Sequence, residues 1–216
     1  IKRDHNTYAK LIKSIKSQNT QKIIELAKEL DDSLEKERQL YVREREDVVE
    51  EEGLIIQDEA ITRKEIEGIE EAKKSDQLDK KTKKDLKKEE RIEREEDRRQ
   101  REEYDLDEKE KQQLAKLGSI TKEIKDNLRE VVVFSQETKF RESLKVAQEI
   151  GAKLQERDKI WGVKESFREK GRKLVKKIKK LGKKEHKLED KVEKDAEKAS
   201  KKQKEQGEQL EFDFKE

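Results

Sequence analysis

The sequence predicts an all-α chain: elongated helical hairpins or a coiled coil, with a long charged, largely solvated helix in the middle. Three observations carry this expectation. Proline is absent and glycine occurs only 8 times in 216 residues, so the punctuation that short strands and tight turns need is missing. Charged residues make up 52%, yet 57 Lys and Arg stand against 55 Asp and Glu, which cancels the self-repulsion that expands many charged chains. Apolar residues recur at spacings of three and four, the mark of a helix with one apolar stripe.

Taken in order, Tyr8, Leu11, Ile12 and Ile15 form a short stripe that the polar "SQNT" (17–20) interrupts, and Asn19 or Thr20 can cap the next helix. Ile23, Leu26, Ala27, Leu30, Leu34, Tyr41 and Val48 then share one narrow stripe running toward Gly53. Beyond that glycine Leu54, Ile55, Ile61, Ile66, Ile69 and Ala72 resume, either as a continuation or as the return arm of a hairpin. Residues 77–113 hold only Leu78, Leu86, Ile92, Tyr104 and Leu106 as apolar side chains. Glu and Lys or Arg recur there three and four apart, each pair worth about 0.2–0.5 kcal/mol, and the reading is a solvated helical spacer, with a flexible charged linker as the alternative.

Packing signals return with Leu114, Leu117, Ile120, Ile124, Leu128 and Val131, with a break expected near Gly118 and Ser119 as an N-cap. After "SQET" (135–138) come Phe140, Leu144, Ala147, Ile150, Leu154 and Trp161, and Gly162 is expected to end or bend that helix. A last stripe carries Val163, Phe167, Leu174, Ile178, Leu181, Leu188 and Val192. The organisation read from this is an N-terminal segment 1–76 with an acidic block, the spacer 77–113, a C-terminal segment 114–204 with a basic block, and a flexible acidic tail 205–216. Residues 26–41 and 146–161 also echo each other at an offset of 120, pairing Leu26 with Val146, Ala27 with Ala147, Leu30 with Ile150, Leu34 with Leu154, Leu40 with Ile160 and Tyr41 with Trp161.

Charge is unevenly placed. Residues 21–76 hold ten basic and nineteen acidic side chains, and 163–204 hold eighteen basic and eight acidic. Two such helical blocks can attract each other within one molecule or between copies, and each carries a stripe on which to pack. The stripe positions Leu26, Leu30, Leu34, Tyr41, Leu144, Ile150, Leu154 and Trp161 are therefore the expected helix-interface residues. In "GRKLVKKIKKLGKKEHK" (171–187) the lysines read first as the wet flank of such a helix. They could also neutralise phosphates, through Arg168, Arg172, Lys173, Lys176, Lys177, Lys179 and Lys180, or rest on an anionic membrane surface.

Several chemistries are excluded or disfavoured. There is no cysteine for a disulfide or thiolate metal site. Only His5 and His186 are present, both expected to be solvated, so no metal or cofactor site is expected. No phosphate-cradling glycine loop occurs, carboxylate pairs such as those in "EREED" (93–97) have no reason to titrate in a catalytic range on an exposed helix, and enzymatic activity is not expected. The longest apolar run, Val131 to Phe134, is four residues, far short of a membrane span. The first residues lack an initiator methionine and a secretory leader, which leaves room for further domains, and a cytoplasmic location is the expectation.

The tail segment "QLEFDF" (209–214) alternates apolar and polar residues as an extended docking peptide does. It resembles the hexapeptide with which bacterial replication proteins dock on the sliding clamp. That resemblance implies contacts by Gln209, Leu210, Phe212 and Phe214, and a nucleic-acid-associated role. The residues by themselves point instead to a structural or adaptor role through helix pairing with a partner or with itself as a homo-oligomer, with no small-molecule substrate.

Overall fold

A computed structural model describes the backbone of residues 2–74 and 79–213 and the side chains of residues 3–74, 79–191 and 194. Four helices account for nearly all of it: α1 (Lys2–Lys16), α2 (Thr20–Lys73), α3 (Lys80–Gln136) and α4 (Phe140–Asp213), with no strand among the described residues. The chain is all-α. With no proline to break them, α2, α3 and α4 run for 54, 57 and 74 residues. The expected breaks at Gly118–Ser119 and at Gly162 do not occur, and Gly53 continues its helix rather than turning it back. An interior glycine costs about 1 kcal/mol relative to alanine, too little to end a helix tied down by ion pairs and packing on both sides.

The turns are made by other residues. Gln18 and Thr138 take left-handed backbone, with φ of 57° and 59°. In each case two crossed amide bonds close the preceding helix: Gln18 N–H to Ile15 O and Asn19 N–H to Ser14 O, then Thr138 N–H to Ser135 O and Lys139 N–H to Phe134 O. Asn19 then caps α2, its Oδ1 accepting from Lys22 N–H at 3.0 Å. The two turns are built alike, 120 residues apart.

The chain forms two compact units, each discontinuous in sequence: unit 1 is Ile1–Glu52 with Asp105–Gly171, and unit 2 is Gly53–Tyr104 with Arg172–Glu216. The units thus cut across the segments 1–76, 77–113 and 114–204, because α2, α3 and α4 each contribute to both.

In unit 1 four helical segments enclose one apolar core. Leu11 and Ile15 of α1, Ile23, Leu26, Ala27, Leu30 and Leu34 of α2, Ile120, Ile124, Leu128 and Val131 of α3, and Val146, Ala147, Ile150 and Leu154 of α4 all meet there. A second cluster, Tyr41, Val48, Leu114 and Leu117, extends it along α2 and α3. Each fully buried Leu or Ile contributes about 1.5–3 kcal/mol, so this core is the main source of the unit's stability. The echo at offset 120 is structural as well: Leu26, Ala27, Leu30 and Leu34 are buried, and so are Val146, Ala147, Ile150 and Leu154. Gly151 lets the Tyr8 ring lie against α4, since a Cβ there would fall 2.7 Å from Tyr8 Cζ.

In unit 2 the later part of α2 pairs antiparallel with α3 through Arg101–Glu59 at 3.0 Å, Gln100–Thr62 at 3.4 Å and Arg63–Asp97 at 3.7 Å. Lys191 of α4 reaches Asp85 of α3 at 2.8 Å. Apolar burial is sparse there: Ile55, Ile69, Leu86 and Leu174. The stretch expected as a mostly solvated spacer has an interior face. Buried side chains recur every seventh residue of α3, at Leu86, Glu93 and Gln100 in unit 2 and at Asp107, Leu114, Thr121, Leu128 and Ser135 in unit 1. Because so many of these are polar, the face is invisible to a search for apolar stripes.

Candidate functional site

The eight residues expected at a helix interface come together inside unit 1. Leu26, Leu30, Leu34, Ile150 and Leu154 are buried in its core, Leu144 packs against them, and Tyr41 meets Trp161 with ring centroids 5.9 Å apart and planes at 45°. These stripes satisfy one another within one chain, and the interface they form is internal.

The seam between α2 and α4 holds residues that apolar patterning passes over. Arg157 and Lys164 are fully buried. Arg157 Nη1 donates to Asp4 Oδ2 at 2.9 Å and to Glu37 Oε2 at 2.8 Å, and Ser33 Oγ donates to Asp4 Oδ1 at 2.7 Å. Burial alone would push the Asp4 carboxyl up, but the bonds from Ser33 and Arg157 and the Arg157 charge hold it below the usual carboxylate value. For Glu37 burial prevails and the carboxyl is raised, with Asp4 adding to the effect. Tyr41 donates to Glu37 at 3.2 Å, and its hydroxyl is pushed up, first by burial and then by the Glu37 charge.

Two turns on, Lys164 Nζ donates to Glu44 at 2.6 Å and lies 4.2 Å from the Trp161 ring centroid, a cation–π contact. Three of these contacts join residues that are equivalent in the 120-residue repeat: Glu37 with Arg157, Tyr41 with Trp161, and Glu44 with Lys164. The two copies thus pair in register, parallel, with opposite charges at matching positions. That alternation of sign at aligned positions is the signal in the sequence, available only once the offset is combined with charge.

The candidate phosphate-binding residues divide. Arg168 is engaged by Glu44 at 3.3 Å in unit 1. In unit 2 Arg172, Lys173, Lys176, Lys177, Lys179 and Lys180 are all exposed along α4. His5 is not simply solvated, since its Nε2 lies 2.6 Å from Asp158 Oδ2, whereas His186 is exposed beside Glu189 at 3.4 Å. The proposed tail contacts Gln209, Leu210, Phe212 and Phe214 lie outside the described residues.

A groove of about 550 Å³ runs between α2 and α3 in unit 1, with Tyr41, Val42 and Leu114 as its apolar floor. Arg38, Arg45, Lys122, Lys125 and Arg129 line it against two carboxylates, Glu35 and Asp126. Hydrogen bonds from Arg38 and then Lys125 hold the Glu35 carboxyl down at about 2.

No helix among the described residues is long and apolar enough to cross a membrane. Fold and seam define the class: an all-α chain whose first unit is crossed by buried ion pairs. No protein-family model matches this chain, and no curated protein or solved structure matches it either.

Proposed function

We propose that this is a non-enzymatic structural or adaptor protein that acts by coiled-coil pairing of helices and assembles as a homo-oligomer. The supporting observation is what α2 leaves uncovered after its core row is buried. In unit 1 Leu40, Val42 and Val49 remain about half exposed, and in unit 2 so do Leu54, Ile56 and Ile61. Val42 and Val49 lie seven residues apart, the period at which a helix presents a continuous seam to another helix. The basic groove beside Val42 is complementary in charge to the exposed acidic run Glu46, Asp47, Glu50 and Glu51 on the same helix, so a second copy offers the matching surface.

Light scattering on the full chain tests this. An oligomer that dissociates in the doubly substituted Val42→Glu/Val49→Glu protein supports the reading, and a concentration-independent monomer overturns it. Both positions are exposed, so the substitutions leave the core intact.

A second reading has one observation in its favour. Among the described residues Arg172, Lys176, Lys177, Lys179 and Lys180 form no ion pair, in a chain where many other cations do, and such a row suits a phosphate backbone. Binding of DNA or RNA that falls steeply with salt and disappears on changing the four lysines to glutamine would carry it; no binding at low salt removes it.

A further inference from the structure

Three carboxylates from three helices converge in unit 2: Glu65 of α2, Glu93 of α3 and Glu185 of α4, each offering an oxygen within 4.8 Å of the others. Glu93 is 1% exposed and its Oε1 is buried without a hydrogen-bond partner. One turn further along α3, Glu96 Oε2 is in the same condition. Several covered acids elsewhere are matched with cations: Asp4 and Glu37 with Arg157, Glu44 with Lys164, Glu52 with Lys111, and Asp85 with Lys88 and Lys191. Here, among the described residues, none of Glu65, Glu89, Glu93, Glu96 or Glu185 forms an ion pair. In a chain with 57 lysines and arginines, these carboxylates meet none of them among the described residues.

We infer that Glu65, Glu93 and Glu185 bind one hard divalent cation of the size of Ca²⁺, with water completing its shell. The ligand set is all oxygen, which selects Ca²⁺, Mn²⁺ or Mg²⁺ over metals that prefer nitrogen or sulfur. Ca²⁺ lies about 2.3–2.6 Å from its ligands, so oxygens up to about 5 Å apart can share it, whereas Mg²⁺ at about 2.0–2.1 Å demands a tighter cage. Glu65 is exposed, which gives the ion a way in and room for water, while Glu93 anchors it from the covered side. The segment 93–97, expected on an exposed helix, instead has Glu93 buried and Glu96 half-buried.

The test is calorimetric titration of the full, chelator-treated chain with Ca²⁺ at about 0.15 M salt, and electron paramagnetic resonance with Mn²⁺ as a spectroscopic substitute. One saturable site per chain is expected, weakened at least tenfold in Glu93→Gln and in Glu65→Gln and unchanged in Glu149→Gln, an exposed acid of unit 1. Absence of saturable uptake at millimolar Ca²⁺ overturns the assignment, as does wild-type affinity in Glu65→Gln. Because Glu65 is exposed, that second variant decides the matter even where Glu93→Gln disturbs folding.

Discussion

Replacing Arg157 by leucine tests the central feature of unit 1. Arg157 is fully buried and bridges Asp4, 1% exposed, to the half-buried Glu37. Removing it leaves two covered carboxylates facing each other with no cation between them. Breaking a buried pair in this way costs about 3–5 kcal/mol, most of it the penalty of the stranded charge rather than the strength of the original bonds. With a urea dependence of about 1.5–2 kcal/mol per molar, the unfolding midpoint should fall by about 2 M. Trp161, the single tryptophan, sits one turn along α4 against Tyr41, so its fluorescence reports this unit specifically. The triple variant Asp4→Asn/Glu37→Gln/Arg157→Leu should recover most of the loss, because no unpaired charge remains. A drop of less than about 0.5 M in the single variant, or no recovery in the triple, would refute the reasoning.

Other outcomes are expected from the same structure. Leu34→Ala, at a position with no exposed surface, should lower unit 1 stability by about 3–4 kcal/mol in the same fluorescence assay. Thr138→Gly should raise it by about 0.5–1 kcal/mol, since a β-branched residue holds left-handed backbone there and its hydroxyl bonds only Glu137 O. The Glu35 carboxyl is held at about 2 against an ordinary 4.5 by Arg38 and Lys125, the latter also facing Asp31 at 3.6 Å. A lowered carboxylate stabilises above its unfolded value and loses that contribution as pH falls through its folded one. Between pH 4.5 and about 2 the urea midpoint should therefore decline more steeply for the wild type than for Glu35→Gln.

Helix content and the apolar core of unit 1 are readable in the sequence because Leu26, Leu30, Leu34, Ile150 and Leu154 combine the right spacing with the right chemistry. Unit 2 is not, and its residues say why. Leu54 and Ile61, placed on a stripe by spacing alone, are exposed, while Thr62, Glu93 and Gln100 face inward. Hydrophobicity finds a buried row only when that row is hydrophobic. Gly118 and Gly162 mislead in a different way, since a local propensity says nothing of the packing on either side that overrides it. Arg157 and Lys164 escape notice because a charge becomes an interior residue only through a partner, and the acids they meet across the core lie 120 and 153 positions away.

The in-register pairing of α2 with α4 in unit 1 also has an electrostatic consequence. Two copies of the α2 segment placed face to face would set Glu37 against Glu37 and Glu44 against Glu44; two copies of the α4 segment would oppose Arg157 to itself and Lys164 to itself. Only the mixed combination is electrically neutral. Opposite charges at these two matched positions thereby favour the pairing found inside the chain over the pairing of either segment with a copy of itself.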